Sequence, residues 1–450
     1  MKTIYILLAM LALINISCEK WLDAKPDKRL TIPTKLAELQ GLMDFHARVN
    51  EMGSPIGELY GDNFYITDQD YNSQREDVQR RYRWAPDYIF GSGANDWSYE
   101  YDNVFRANTV IDNIDAVDVG NYTKENVAAV LGHAYFLRAE AFMNAVSIWS
   151  KAYDPHTASD EMGIPLRLNS DINEESLRAN LADTYEEIIA NFKRAAKLLP
   201  ERQITKFRPI KAAAYGYLAR TYLWMNDYRN AELYADSCLL SVDVAIMDFN
   251  SIDGTINFPF ERFNVEVVYE KRMVTPVILA APRGIVNEDL YNSYPVADLR
   301  RELFFSINTD GRPNFRGSYE GVANLFVGLT WPEVLLTQAE AKARNGKTEE
   351  AKTILETFLT NRYSDDSYVM SESVTAEEMI DAVLIERRKE LAFRGQRFMD
   401  IKRLNILGYN IVQQRVINGT SHTLTPNSNA YALPIPEEII QLSSIEQNPK

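Results

Sequence analysis

The chain has 450 residues, with 48 Lys plus Arg against 63 Asp plus Glu and a formal net charge of −15. Apolar residues make up 46% and charged residues 25%, an ordinary globular balance that excludes wholesale disorder, a collagen and a polytopic membrane protein. The acidic balance argues against nucleic acid, whose phosphates need a basic partner, and 4 His with 2 Cys leave little material for a metal centre or a disulfide framework.

Lys2 precedes an unbroken apolar run from Ile4 to Ile14, then Asn15-Ile16-Ser17-Cys18. The run is too short to span a bilayer as a mature helix and matches the apolar region of a signal peptide. A Cys directly after a small residue at the end of such a run resembles a bacterial lipobox, although Asn15 stands where a Leu is usual. The expectation is a signal peptide over 1–17 and a lipidated Cys18, whose acyl chains anchor the protein to a membrane without spanning it. Cys238 then remains as the one free thiol, packed as a small hydrophobe in an apolar helical stretch.

A short helix is expected from Lys35 to His46, and loops with short strands over 50–95, which is rich in Gly, Asp, Asn, Tyr and Trp. From Trp97 the period becomes helical, with Tyr101, Val104, Phe105, Asn108 and Ile111 on the same face. Val127 to Ser150 reads as a second long helix. Asp154 to Asn173 reads as a loop holding Gly163-Ile164-Pro165. Leu177 to Leu199 reads as a third helix, ended by Pro200.

Two later segments repeat. Leu218-Ala219-x-x-Tyr222 is followed by Ala231, and Ala339 is followed by Ala351 at the same spacing, each time across a turn (Met225-Asn226-Asp227 and Asn345-Gly346-Lys347). This is the tetratricopeptide helix–turn–helix pattern, in which small residues let paired helices approach. Leu131-Gly132-x-x-Tyr135 carries the first-helix signature once more. Residues 243–328 are turn-rich and form the largest insertion; loops of that size are usually functional. A last helix is expected from Ala376 to Asn405, then a polar stretch and the closing Pro434-Ile435-Pro436. The chain therefore reads as mainly α, a single domain over 18–450. Its N-terminal part covers about 18–240, the insertion about 243–328 and a C-terminal helical part about 329–450.

Sites of chemistry are scarce. His46, His133, His156 and His422 are scattered, and no His-Glu-x-x-His, Gly-x-Ser-x-Gly or Cys-x-x-Cys occurs. Gly346-Lys347-Thr348 imitates a phosphate loop, but Ala341 occupies the upstream Gly position, and the repeat turn explains it better. Glu174-Glu175 and Asp365-Asp366 read as solvated charges rather than a glycosidase couple. The run Glu386-Arg387-Arg388-Lys389-Glu390 reads as an i, i+4 charge network. Asn418-Gly419-Thr420 is a glycosylation sequon by letter only. No cofactor and no catalysis are expected.

Four segments together resemble the SusD/RagB family of outer-membrane lipoproteins from Bacteroidota. They are Cys18-Glu19-Lys20-Trp21-Leu22-Asp23 with Pro26; Trp97-x-x-x-Tyr101 through Asn108 to Arg138-Ala139-Glu140-Ala141 and Gly163-Ile164-Pro165; Tyr185-x-x-Ile188-Ile189 through Leu198-Leu199-Pro200 to Leu218-Ala219; and Glu386-Arg387-Arg388-x-Glu390-Leu391-Ala392-Phe393 with Gly395, Arg397, Phe398, Asp400 and Arg403. The closing Gln447-Asn448-Pro449 also fits. Arg394 replaces a usual Glu, and Thr330 stands where the family favours Arg. The resemblance implies a helical scaffold with a loop-rich face. It also implies a SusC-like TonB-dependent transporter as partner, and a lid that captures an oligosaccharide, or in some members a peptide, at the outer membrane.

A carbohydrate site needs flat aromatic platforms with polar groups at their edges. Two loop clusters supply them. Trp84, Tyr88, Tyr291 and Tyr294 are the expected platforms, and Arg83, Asp87 and Asn292 the expected hydrogen-bonding rim. Trp97, Tyr101, Trp224 and Trp331, at helical spacing or helix starts, are expected in the core. The competing readings are a peptide-binding helical scaffold and, more remotely, a glycoside hydrolase.

Overall fold

The computed structural model describes residues 33–91, 93–364 and 367–450. The signal peptide, Cys18 and the Asp365-Asp366 pair lie outside the described residues.

Helix α1 (Leu36–Met43) packs against α2 (Asp96–Asn113) and α3 (Lys124–Trp149). The expected start of α2 is right because Asn95 caps it: its side chain accepts from Ser98 N, and Ser98 Oγ receives Asn95 N in return. Thr123 and Asn126 form the same box at α3, so α3 begins three residues before the apolar stripe does. Helix α4 (Leu181–Leu198) starts later than expected, because Arg178–Asn180 form a strand against Met162–Pro165. The supposed loop after α3 is thus partly a two-stranded ribbon. Gly163 allows it, since a Cβ there would lie 2.4 Å from Asn180 O.

Both repeat pairs are present. Helices α5 (Lys211–Trp224) and α6 (Tyr228–Leu240) form one, α7 (Trp331–Arg344) and α8 (Thr348–Leu359) the other. Ala219, Ala231, Ala339 and Ala351 are all buried at the helix contacts. The third signature also has a partner: a Cβ on Gly132 would press on Leu198 and Leu199, so α3 and α4 pair through it.

The expected last helix is two helices. Helix α9 (Ala376–Glu390) stops, and α10 (Arg397–Ile406) starts after a turn in which Phe393 and Gly395 take left-handed φ angles of 60° and 70°. The turn exists to let chains cross: a Cβ on Gly57 would sit 1.9 Å from Gly395 O. The polar stretch beyond α10 is a hairpin, Gln413–Ile417 against Thr420–Leu424, turning at Asn418-Gly419. Residues 50–95, expected as loops with short strands, hold the strand Phe64–Tyr65 and three short helices that were not expected (Ile56–Leu59, Asp68–Asn72, Glu76–Tyr82).

The insertion folds onto the scaffold through a four-stranded antiparallel sheet, in the order Phe64–Tyr65, Ile285–Val286, Pro313–Phe315, Phe305–Ile307. One hydrophobic cluster runs from Ile56 to Ile445, and smaller ones sit under α1–α3 and under α7–α9.

The charge run in α9 is not a local surface network. Arg300, wholly buried, bonds Asp298, Glu386 and Glu390. Arg362 bonds Glu266 and Glu390, and Arg403 bonds Glu340 and Asp400. Arg300 with Glu386 and Glu390, Arg362 with Glu266 and Glu390, and Arg403 with Glu340 are pairs far apart in sequence, so buried, paired charges fasten α9 to the insertion and α10 to α7.

Candidate ligand-binding face

The first aromatic cluster leaves the short helix Glu76–Tyr82. Trp84 and Tyr88 both take left-handed backbone angles, φ 56° and 49°, which bulky residues rarely adopt. Tyr88 is held outward: it is 63% exposed, its N–H donates to Glu437 Oε1 at 2.6 Å, and the Arg80 guanidinium lies 5.7 Å from its ring centroid. Asp87 is gripped by Arg80 and by Lys450 Nζ at 2.9 Å. The Lys450 hydrogen bond, with Arg80 behind it, holds the Asp87 carboxyl below its usual range. Arg83 is half-buried beside them.

Trp84 does not behave as expected. It is 9% exposed, and the Arg415 guanidinium covers its ring at 4.4 Å. Arg415 also donates to Leu59 O and to Gly61 O and sits over Tyr82. The ring face that would meet a sugar is therefore filled from within by the C-terminal hairpin.

The second cluster sits on a short helix, Glu288–Asn292, capped by Asn287. Tyr291 is half-buried, edge-on to Phe305 at 5.5 Å, with Arg301 4.6 Å from its centroid. Asn292 is exposed beside it. Tyr294 is a correction: it is wholly buried, and its hydroxyl donates to Lys389 O at 2.8 Å. A platform must show a face, and Tyr294 shows none; it locks the insertion onto α9 instead.

The strands that precede the two clusters in sequence are adjacent in the sheet. Phe64 and Tyr65 pair with Val286 and Ile285, and Arg283 lies 3.3 Å from Asp70. Among the described residues no hydrogen bond, ion pair or ring contact joins Tyr88 to Tyr291. Each is an accessible tyrosine backed by an arginine and flanked by a polar residue, Asp87 or Asn292, an arrangement able to stack on an apolar ring face and bond its edge.

Trp97, Trp224 and Trp331 are buried as expected, whereas Tyr101 stacks on Trp97 at 4.6 Å but is half-buried. Sequence reasoning missed a groove of ≈ 330 Å³ beside them, where Phe105, Ile439 and Leu442 join the exposed edge. Its polar groups are already spent: Tyr101 OH donates to Pro165 O, and Asn108 to Arg167 O and Asn169 O. Cys238 is buried, with Sγ 3.1 Å from Ala212 O, and burial pushes its thiol well up. His133 is buried and held neutral, its pKa lowered to about 3 by burial.

The architecture is that of a helical scaffold of tetratricopeptide-like pairs carrying an irregular, loop-rich face. Two sequence models match. One is described as starch-binding associating with outer membrane and covers residues 20–223; the other is the SusD family, over 332–450. The chain belongs to the SusD/RagB family. It is 23% identical to SusD-like protein P2 of Formosa agariphila over 87% of this chain and 86% of that one. A putative sugar binding protein of Bacteroides vulgatus superposes with a TM-score of 0.76 at 20% identity, covering 93% of this chain and 99% of that one. Surface glycan-binding protein A of Bacteroides uniformis superposes with a TM-score of 0.70 at 18% identity, covering 92% and 99%. Among the described residues no helix is long and apolar enough to cross a membrane.

Proposed function

We propose that this protein is a lipid-anchored outer-membrane protein that captures an oligosaccharide at the cell surface. It hands the ligand to a SusC-like TonB-dependent transporter, for which it acts as the lid. It catalyses no reaction. The carrying observation is family membership through both ends of the chain, one end matching a family described as starch-binding and outer-membrane associated. Two structural neighbours described as sugar- or glycan-binding support the ligand class. Tyr88 and Tyr291 serve as platforms, with Asp87, Arg83 and Asn292 as the rim. Trp84 and Tyr294 act behind them as supports.

Residues 18–450 work as one domain in this reading, with Cys18 as the lipidated residue. Affinity purification of the tagged full chain from outer membranes tests the partnership: a co-purifying large barrel protein is expected. A chain that stays alone, and a Cys18→Ala variant that stays in the membrane fraction after a salt wash, would contradict the assembly and the anchor respectively.

A further inference from the structure

Three carboxylates and two guanidiniums meet where the insertion folds back on the scaffold. Glu270 directly follows the strand Val267–Tyr269, which pairs with Leu329–Thr330. Glu320 lies in the turn that leads into the exposed residues 321–324. Glu51 closes the group from the scaffold side, and Arg262 and Arg272 lie between the three. The Glu270 and Glu320 side chains are wholly buried.

Both buried carboxyls converge on one nitrogen. Arg262 Nε lies 2.9 Å from Glu270 Oε1 and 3.1 Å from Glu320 Oε2, and it carries a single N–H. Arg262 Nη2 donates to Glu51 Oε1 at 3.2 Å. Arg272 Nε donates to Glu320 Oε2, and its Nη1 to Glu51 Oε1 at 3.5 Å. Lys206 faces Glu270 from the loop before α5, but its Nζ donates to Asn264 O at 2.6 Å. The neighbouring Tyr269 hydroxyl is engaged by Asn50 Nδ2 at 3.2 Å, and Lys271 turns away to Glu140. Each carboxyl is left with one buried oxygen, Glu270 Oε2 and Glu320 Oε1, that has no donor among the described residues. The two carboxyls are within hydrogen-bonding reach of each other. Two ionised carboxylates so placed repel; one proton between them turns the repulsion into a hydrogen bond and supplies a donor. Burial and the Glu320 carboxyl, against the pull of Arg262, push Glu270 up to about 8. A metal ion in the same place would face both guanidiniums, and among the described residues no group of three or more His, Cys, Asp or Glu is arranged to hold one.

We propose that Glu270 and Glu320 share one proton, and that this bond latches the exposed loop 321–324 of the insertion to the scaffold, tightly in acid and slackly once the proton is lost. The ends of the loop are held separately: Tyr319 OH donates to Glu266, and Met273 N to Leu325 O at 2.7 Å, so the loop can open while its flanks stay in place. A closed loop keeps a proton that an open loop, with solvated carboxyls, releases near 4.5. The latch is therefore complete below about pH 4.5, weakens through neutrality and is gone above about pH 8. It is separate from the tyrosine platforms and stands whether or not the chain binds glycans.

Two measurements on the full mature chain test it. The infrared difference between wild type and Glu270→Gln, taken at about pH 6.5, should show one protonated-carboxyl C=O band that only wild type carries; Glu58 and Glu100 are common to both chains and cancel. Hydrogen exchange of peptides spanning 318–325, corrected for its intrinsic pH dependence, should quicken in wild type by up to about tenfold per pH unit between about pH 5 and 8 and level off above. Glu270→Gln and Glu320→Gln keep an amide donor between the side chains but no shared proton, so their corrected profiles should be flat. An unchanged circular dichroism spectrum certifies that each variant is folded. Absence of the carboxyl band from the difference spectrum, or a wild-type exchange profile as flat as those of the variants, would overturn the latch.

Discussion

Arg394 donates from Nη1 to the Thr330 hydroxyl at 3.3 Å, joining the turn after α9 to the strand before α7. Thr330 ends the strand before α7, and Arg394 sits in the turn between α9 and α10.

That contact predicts coupling. Thr330→Arg alone sets two guanidiniums side by side, and Arg394→Glu alone brings a carboxylate near the paired Glu390. Each should destabilise the fold, while the double variant restores an opposite-charge pair. A double-mutant cycle in urea should return a favourable coupling of about 1–3 kcal/mol. Additivity to within about 0.5 kcal/mol would show that the two sites do not communicate.

The buried charges around α9 are held by their partners. Arg362, wholly buried, bonds Glu266 Oε1 at 2.7 Å and Glu390 through two nitrogens at 3.0 and 3.1 Å. Arg362→Ala leaves Glu266 in the core without a cation and Glu390 with Arg300 alone, and should cost about 3–5 kcal/mol in chemical denaturation. A loss under about 1 kcal/mol would mean the network is wet.

Stability should also fall as pH rises through neutrality. Burial, with Glu140 nearby, pushes the Glu100 carboxyl up to about 8, against the pull of Lys271; burial and Asp62 push Glu58 up to about 7. The folded chain keeps protons that the unfolded chain releases near 4.5. The contribution is therefore complete below about pH 4.5 and is lost as pH climbs through 7 to 8. Glu100→Gln removes the titration, so its Tm should gain on wild type progressively between pH 4.5 and 8. Parallel pH profiles would refute the shift.

Backbone crossing at the α9–α10 turn leaves no room for a methyl group. Gly57→Ala drives Cβ into Gly395 O, and because backbone must move, the loss should be about 1–3 kcal/mol or more by thermal melting. Gly41→Ala, with nothing within 4 Å of its Cβ, is the control and should be neutral or stabilising.

Much of this was legible in the sequence. The Trp97 face, the Ala219/Ala231 and Ala339/Ala351 pairs and the Pro200 stop all depend on local period and small-residue spacing, which the fold left intact. The break after Glu390 was hidden because Leu391, Ala392 and Phe393 continue the apolar pattern; only Gly395 hinted at it. The hairpin has a signal in the turn dipeptide Asn418-Gly419, and its strand hides by pointing Arg415 inward and Val416 outward. At the candidate site, composition found the aromatic loops but could not say which rings face out. Tyr294 and Trp84 are covered by Lys389 and Arg415, partners about a hundred or more residues away.

The central claim is that Tyr88 and Tyr291 present a glycan-binding face, and calorimetric titration of the soluble mature chain against a panel of oligosaccharides tests it most directly. The account predicts saturable binding to at least one glycan, lost at least tenfold in Tyr88→Ala and in Tyr291→Ala and kept in Phe105→Ala beside the separate groove. No binding to any glycan, or binding indifferent to both tyrosines, would contradict it.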